Sequence, residues 1–401
     1  MKPKVVVLGG GFAGLSCALR LPASEFDVVL VDQRAEFEFL PAIHELLSGM
    51  KTKRALRLPL KPILETRGHQ FRRGIVGSID TGHRCVVLQR GRIAYDYLVL
   101  ALGAADADFG VAGVSEHAFR FKSVDQCAAL GRQVARQVRD RGSTRITIVG
   151  GGLEGVEACG ELLRAYRNYA IDIRVIERSG RLLPAAPKAV SEHLHHQCEY
   201  HGVTLVLGEE VRRVMPKTIE LGNGKRRRSD VTIWTGGAIP KPLFADSGLS
   251  YGKNWVDVTE RLQHCDDESI YVLGDSAGLP QPLSKQAYHA IDMGEFCADD
   301  LQRRIAGRRR RVFKPSKKPQ LVAFGDLDTL LIGDRMVLAG PSLGVLKEAI
   351  YQGVMVQLDG RAALPRLKGL VTRGVGLPSR LDWPVPSLSA LGQRASLKKL
   401  A

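Results

Sequence analysis

Val5-Val6-Val7-Leu8-Gly9-Gly10-Gly11-Phe12-Ala13-Gly14 opens the first structured stretch of the chain, and Ile146-Thr147-Ile148-Val149-Gly150-Gly151-Gly152-Leu153-Glu154-Gly155 repeats it further along. Each copy is a short β-branched run, then G-x-G-x-x-G, then a helical pattern. In such a turn the first glycine (Gly9, Gly150) permits the tight bend. The second (Gly11, Gly152) lets backbone approach a pyrophosphate, and the third (Gly14, Gly155) lets the helix pack on the strand. The residues that begin the helix, Phe12 and Ala13 in one copy and Leu153 and Glu154 in the other, then offer backbone N–H groups and a positive dipole end to the phosphates.

A second apolar strand after each motif strengthens the reading. Asp27-Val28-Val29-Leu30-Val31 ends in Asp32, with Gln33 beside it, and Ile171-Asp172-Ile173-Arg174-Val175-Ile176 ends in Glu177. An acid at that strand end accepts hydrogen bonds from ribose hydroxyls and repels a 2′-phosphate. Strand, glycines, helix and acid occur in order twice, which weighs heavily against two glycine turns that bind nothing. Glu177 favours NADH over NADPH, although Arg178 next to it could meet a 2′-phosphate.

The wider composition sets bounds. The chain has 401 residues, against a prior of ~150 per domain that predicts two or three domains. Apolar residues make up 44% and charged residues 25%, the balance of a core-forming chain. Lys and Arg number 58 against 42 Asp and Glu, so the net charge of +16 asks for an anionic partner. Seven scattered cysteines with no CxxC argue against a disulfide framework and a zinc ribbon, and no metal site is expected. No signal-peptide pattern precedes Val5 and no apolar run is long enough to span a bilayer, so the expected location is cytoplasmic.

Two dinucleotide sites in one chain imply a relay, for which FAD and NAD(P)H are the natural pair. The sequence resembles the two-dinucleotide-binding-domain flavoproteins of the pyridine nucleotide–disulfide oxidoreductase superfamily. Two more segments carry the resemblance: Tyr95-Asp96-Tyr97-Leu98-Val99-Leu100-Ala101-Leu102-Gly103, and Ile270-Tyr271-Val272-Leu273-Gly274-Asp275. The resemblance implies that the first motif binds FAD and the second NADH. It adds Ala101, Gly103, Gly236, Gly274 and Asp275 to the cofactor-binding residues, with Asp275 approaching the ribityl chain.

Within that superfamily, disulfide reductases need a CxxC, which is absent. Sulfide:quinone oxidoreductases need cysteines, for which Cys127 and Cys159 are the candidates, but Cys159 also reads as a small buried helix residue. The chain looks most like the type II NADH dehydrogenases, which pass electrons from NADH through FAD to quinone. Phe39-Leu40-Pro41-Ala42-Ile43-His44-Glu45-Leu46-Leu47-Ser48-Gly49 resembles their Pro-led helix beside the flavin. Glu157 stands where the family places a glutamate near the nicotinamide–flavin contact. Its role there is orienting nicotinamide or handling a proton, and the bland alternative is a carboxylate on the helix dipole.

Where the acceptor should bind, the pattern departs from the family. An Ala-Gln run with a later Gln-Gln is replaced by Lys285-Gln286 and Ala290-Ile291, so only Gln286 lines up. Lys285 reads either as a cation that stabilises negative charge on the reduced flavin or as a surface lysine at a helix start. Glu157, Lys285 and Gln286 are therefore the candidate catalytic residues. The expected activity is NADH dehydrogenation with a quinone or similar acceptor. A sulfide- or ferredoxin-linked reductase and a non-catalytic redox-sensing protein stand as alternatives.

Other features point to partners. Glu192-His193-Leu194-His195-His196-Gln197-Cys198-Glu199-Tyr200-His201 looks metal-like but mixes helix faces. Lys225-Arg226-Arg227-Arg228 reads as a hairpin turn. Residues 303–318 hold nine basic residues and no acid, 361–401 hold eight basics and one acid, and 51–73 hold eight basics and one acid. Basic residues mixed with apolar ones favour a peripheral membrane surface, at the inner face of the cytoplasmic membrane, over nucleic acid. The tail could equally be an ordinary solvated or dimer interface. The expected architecture is α/β with two Rossmann-like domains: a split FAD domain (1–115 and 260–325) around an NAD domain (116–259). A C-terminal module (326–401), a candidate membrane or dimer interface, completes the chain with a hairpin over 329–339 and a helix over 346–358.

Overall fold

The structure, a computed structural model, describes residues 1–359 apart from 142, 253, 334 and 335. The basic tail at 361–401 lies outside the described residues. Two five-stranded, all-parallel sheets dominate. The first runs Ile270–Val272, Tyr97–Leu100, Lys4–Leu8, Asp27–Asp32, Gln70–Arg73. The second runs Phe119–Arg120, Val231–Trp234, Ser143–Val149, Ala170–Glu177, Thr204–Leu207. Val5, Val6, Val7 and Leu8 are all fully buried, as a parallel strand covered on both faces requires. Strand order reverses beside Lys4–Leu8 in one sheet and beside Ser143–Val149 in the other. Each glycine motif leaves its strand at that reversal, where doubly wound sheets open a crevice for ligands. The fold is thus α/β with two Rossmann-like units.

The internal repeat extends past the motifs. Counting from the strand that carries the glycine motif, each unit inserts an antiparallel three-stranded meander between its third and fourth parallel strands. In the first it is Val76–Asp80, Cys85–Leu88, Arg92–Ala94, and in the second Val211–Met215, Thr218–Leu221, Arg226–Arg228. The turn in the second meander therefore falls at 222–225, and Arg226–Arg228 form the returning strand rather than the turn itself.

A third antiparallel sheet comprises Gln320–Phe324, Asp328–Ile332 and Val337–Ala339, and the helix Leu343–Leu358 comes after it. Position 325/326, the expected start of the C-terminal module, falls inside that sheet: Val322 pairs with Leu330 across it. Gly325 makes the turn at φ +60° and rests on the helix Leu153–Tyr166, where a Cβ on Gly160 would lie 2.4 Å from Gly325 N. Gly160→Ala is therefore expected to cost about 1–3 kcal/mol by overpacking, read as a lower melting temperature.

The helix Phe12–Arg20 packs as closely on Ala287–Ile305: a Cβ on Gly294 would lie 2.2 Å from the Ala13 carbonyl oxygen. That contact fixes the turn Gly274–Ser276, whose Gly274 N–H points at Met293 Sδ, 3.1 Å away. The segment resembling a Pro-led helix is shorter than expected: a 3-10 turn, Leu40–Ala42, then four helical residues, Glu45–Ser48, closed by Gly49 at φ +75°.

Candidate active site

The two glycine loops are built alike. Gly9 (φ +105°) and Gly150 (φ +112°) adopt backbone that favours glycine, and their N–H groups reach Val31 O and Ile176 O, each at 2.8 Å. A Cβ on Gly14 would lie 2.0 Å from Gly9 O, and one on Gly155 would lie 1.9 Å from Gly150 O. The middle glycines differ in kind. A Cβ on Gly11 or Gly152 would meet nothing within 4 Å. Those residues cap the helices Phe12–Arg20 and Leu153–Tyr166 with no side-chain hydrogen bond. Leu15 and Val156 make the first intrahelical bonds, back to Gly11 O and Gly152 O. The N–H groups of Phe12, Ala13 and Gly14, and of Leu153, Glu154 and Gly155, are thus left as the donors that precede a first helical bond. Two cradles of free donors, each with room where only a glycine stands, fit dinucleotide pyrophosphates.

The strand-end acids are matched as well. Asp32 Oδ2 accepts from Gly10 N (2.7 Å) and Oδ1 from Arg34 N (2.8 Å). Glu177 Oε2 accepts from Gly151 N (2.6 Å) and Oε1 from Ser179 N (2.7 Å). Each carboxylate fixes its loop and retains lone pairs for a ribose. Gln33 turns its carbonyl to Arg73 Nε at 3.0 Å. Arg178 is exposed. Glu154 is engaged by Lys122 Nζ at 2.5 Å, while burial raises its carboxyl.

Ala101 N–H donates to Leu8 O at 2.8 Å, which sets Gly103 (φ +69°) beside the first loop, and Gly103 O accepts from Ser276 Oγ at 3.1 Å. Ala101, Gly103, Gly274 and Asp275 are thereby gathered at one crevice. Burial pushes the Asp275 carboxyl up, with Lys285 and Lys122 opposing. Gly236 instead packs on Trp234, whose Nε1 donates to Ala107 O at 2.6 Å.

Lys285 is held on two sides. Its Nζ donates to the Asp275 carbonyl at 2.7 Å and lies 3.4 Å from the Trp255 ring centroid. The stem is exposed, yet loss of hydration at the ammonium lowers its pKa. Trp255 carried no signal in the sequence. Gln286 occupies the cap position of the helix Ala287–Ile305 but bonds Ser284 Oγ (2.8 Å), not the helix.

Glu157 lies apart from the glycine cradle, buried where three parts of the chain meet. Lys347 Nζ reaches its Oε1 at 2.7 Å, His44 Nδ1 lies 3.3 Å from Oε2, and Ala323 N–H donates to Oε1 at 3.3 Å. Lys347 Nζ also lies 3.0 Å from His44 Nε2. Burial drives His44 well below its ordinary range, and Lys347, Arg164 and Lys51 push the same way. The ring is therefore neutral. An ammonium can only donate, so Nε2 accepts from Lys347 and the ring proton sits on Nδ1, towards Glu157. Burial raises the Glu157 carboxyl, while Lys347 and the Ala323 N–H pull it down. Further out, Lys51 joins Glu45 (3.4 Å) and Glu348 (2.6 Å). A run of edge-to-face rings, Phe12 to Phe39 (5.5 Å) and Phe39 to Tyr351 (5.0 Å), ties the first motif to the helix that bears Lys347.

His44 and Lys347 were not singled out from sequence. His44 lay within the segment 39–49, and the signal for Lys347 was a Lys-Glu pair inside a mostly apolar helical run. The cysteines have no such setting. Cys127 and Cys159 are buried; burial raises the first thiol, and a hydrogen bond with Cys198 followed by burial raises the second. Neither is poised as a thiolate. His193 Nε2 pairs with Asp328 Oδ2 at 2.6 Å, tying its helix to the C-terminal sheet, and His195 pairs with Glu199. Among the described residues no three His, Cys, Asp or Glu gather as a metal site.

Two matched cradles at the carboxyl ends of two parallel sheets define an oxidoreductase of the two-dinucleotide class. The chain belongs to the pyridine nucleotide-disulphide oxidoreductase family, whose model matches residues 3–294. It is 26% identical over 370 residues to the demethylphylloquinone reductase NdbB of Synechocystis sp., covering 87% of this chain and 91% of that one. It is also 26% identical over 381 residues to the type II NADH:quinone oxidoreductase of Haemophilus influenzae, covering 81% and 86%. In fold it is similar to NDH2 of Plasmodium falciparum in complex with NADH (TM-score 0.83, 16% identity, 95% and 100% covered). The sulfide:quinone oxidoreductase of Aquifex aeolicus is similar too (TM-score 0.80, 19% identity, 92% and 95% covered).

Proposed function

We propose that the chain is an FAD-dependent NADH:quinone oxidoreductase. The observation that carries this is the pair of equivalent cradles, one per sheet, in a chain whose curated relatives are named for NADH and quinones. The first cradle would hold FAD and the second NADH, and the flavin would supply a two-electron carrier between the nicotinamide and the acceptor. The protein's own residues hold, orient and supply a proton. Helix-start N–H groups behind Gly11 and Gly152 bind the pyrophosphates. Asp32 and Glu177 lock the loops and accept from ribose, and Glu177 favours NADH over NADPH by charge. Lys285, clamped on Trp255, anchors the Asp275 carbonyl beside the first cradle.

Reduction of a quinone by NADH consumes one proton from solvent in addition to the hydride: NADH, H⁺ and quinone give NAD⁺ and quinol. Lys347 Nζ, Glu157 and His44 form a buried set able to hold that proton, with Nζ and Oε1 2.7 Å apart. No helix of the described residues is long and apolar enough to cross a membrane. A lipid-soluble acceptor and a net charge of +16 support peripheral work at the inner face of the cytoplasmic membrane.

Steady-state oxidation of NADH by the FAD-loaded chain with a panel of acceptors tests the reading. Turnover with benzo- and naphthoquinones is expected. Tight NADH binding with negligible turnover on every quinone would make the chain a redox sensor instead. Because the Cys127 and Cys159 thiols are buried and protonated, the double variant Cys127→Ser/Cys159→Ser should keep most of its quinone turnover. Loss of turnover at unchanged stability would favour sulfur chemistry.

A further inference from the structure

The two cradles match in their glycines, turns and strand-end acids, yet they differ in charge at one position. The second residue of the helix is Ala13 in the first cradle, buried beside Gly274, and Glu154 in the second. A carboxylate at a helix start made for a pyrophosphate repels that ligand. Lys122 offsets the repulsion: its Nζ lies 2.5 Å from both Glu154 Oε1 and Oε2. Both side chains stay partly open, Lys122 at 24% and Glu154 at 35%. The pair is neutral as a whole, and it shows a cation and an anion side by side at the cradle.

Both units of the fold deliver Lys122 to that point. It follows the strand Phe119–Arg120 at the carboxyl end of the second sheet, and its backbone N–H donates to Gln126 Oε1 at 3.1 Å. The helix Val124–Arg141 then starts against the first unit. Val124 N–H donates to Glu38 Oε2 at 3.2 Å, and Arg57 Nη2 lies 2.6 Å from Glu38 Oε1 and from Asp125 Oδ2. The Lys122 ammonium is also close enough to the Asp275 carboxyl to oppose the rise that burial imposes there. Glu154 and Lys122 thus stand between the second cradle and the turn Gly274–Ser276 of the first unit. A nicotinamide that passes hydride to a flavin has to enter that gap.

The bonding capacity left on the pair is specific. An ammonium has three N–H groups and a carboxylate about four lone-pair sites. Two of each are taken up between Lys122 and Glu154, and among the described residues no other hydrogen bond reaches either group. A spare donor and a spare acceptor therefore lie next to each other. A primary carboxamide is their complement: its oxygen takes the ammonium N–H and its nitrogen donates to the carboxylate. A carboxylate on the ligand would suit Lys122 but meet Glu154 as a like charge.

We propose that Glu154 and Lys122 read the carboxamide of the nicotinamide ring, Glu154 accepting from the amide nitrogen and Lys122 donating to the amide oxygen. They thereby select NADH against dinucleotides that carry a carboxylate on that ring. Nicotinamide as the occupant rests on the NADH reading of the second cradle; the pairing of an open donor with an open acceptor does not.

The test is titration calorimetry of the oxidised, FAD-loaded protein with NAD⁺, with its nicotinic acid analogue, and with ADP-ribose, which has the pyrophosphate but no nicotinamide. Wild type should bind NAD⁺ at least about tenfold more tightly than the analogue, the scale of one unpaired polar group or like-charge contact. Glu154→Gln keeps an acceptor and loses the charge, so the analogue should gain and the preference should fall below about threefold. Lys122→Met/Glu154→Leu removes the pair at constant net charge. It should weaken NAD⁺ about tenfold and leave ADP-ribose within about threefold of wild type. Glu154→Gln is nearly isosteric and carries the test if the double variant melts early. Wild type that binds NAD⁺ and the analogue alike overturns the proposal, as does Glu154→Gln with the wild-type preference intact. A folded double variant that weakens ADP-ribose as much as NAD⁺ also overturns it, since the pair would then only bridge the two units. Wild type that binds neither NAD⁺ nor ADP-ribose removes the NADH reading itself, and this proposal with it.

Discussion

Gly152→Val is expected to abolish NADH binding and leave the fold standing. Gly152 sits at φ −74°, ψ −169°, extended backbone that valine adopts freely, and a Cβ there meets nothing within 4 Å. The added methyls would occupy the space onto which the N–H groups of the helix Leu153–Tyr166 open. The dissociation constant for NADH should rise at least about a hundredfold, or ~3 kcal/mol, in titration calorimetry. FAD content should not change, because Gly11 serves the other cradle. Gly155→Ala makes the contrast: one methyl 1.9 Å from the Gly150 carbonyl oxygen forces the helix off its strand, so stability falls before binding can be asked about. A Gly152→Val protein that binds NADH as wild type does would remove the second cradle from the account.

Lys347→Met is the second large effect, and it should split the reaction. Removing the ammonium leaves Glu157 buried with a neutral imidazole and one backbone N–H. An unpaired buried charge costs ~3–5 kcal/mol, so the carboxyl takes up a proton instead, and the measured loss should be smaller. Quinone turnover should fall about a hundredfold, the scale of a lost proton donor, while reduction of bound FAD by NADH in a single turnover keeps its rate. The pH dependence has a definite sign. With its pKa raised above that of the unfolded chain, folded Glu157 binds more protons, so its contribution to stability is lost as pH rises through the folded value. Without Lys347 that value moves higher. The stability gap between variant and wild type should therefore widen from about pH 5 to about pH 8 in denaturant melts. Glu157→Gln placed on Lys347→Met should close most of the gap, a coupling that independent sites would not show. A pH-independent gap would mean that Glu157 does not titrate with its partner removed.

The contrast between these two sites explains what the sequence makes legible. Both cradles are written locally: strand, glycines, helix and acid lie within about thirty residues, and Asp32 and Glu177 reach back to their own loops. Sheet membership of Ile270–Val272 was readable because its Gly274-Asp275 ending has a family likeness. The Glu157 cluster is assembled from three distant stretches, and no periodicity announces that His44, Glu157 and Lys347 converge. Glu157 was picked out by resemblance and then found in a setting the resemblance had not supplied. Likewise Lys285 was noticed as a departure, but the Trp255 face that holds it comes from a loop with no motif. The run 303–318 was legible as basic charge favouring a membrane surface, but its anchoring by Arg310 on Asp300 and Phe313 on Phe296 was not, because those residues are meaningful only against a helix stripe. Gly325 gave no sign in the sequence of the turn it makes, which joins two paired strands of one sheet and rests on Gly160.

The central claim is that one chain passes electrons between two dinucleotides and on to a quinone. Anaerobic rapid mixing of the FAD-loaded protein with one equivalent of NADH, and then with a short-chain naphthoquinone, tests it most directly. The visible flavin absorbance should be lost on the first addition and return on the second. A band that NADH leaves intact, or that no quinone restores, would contradict the account.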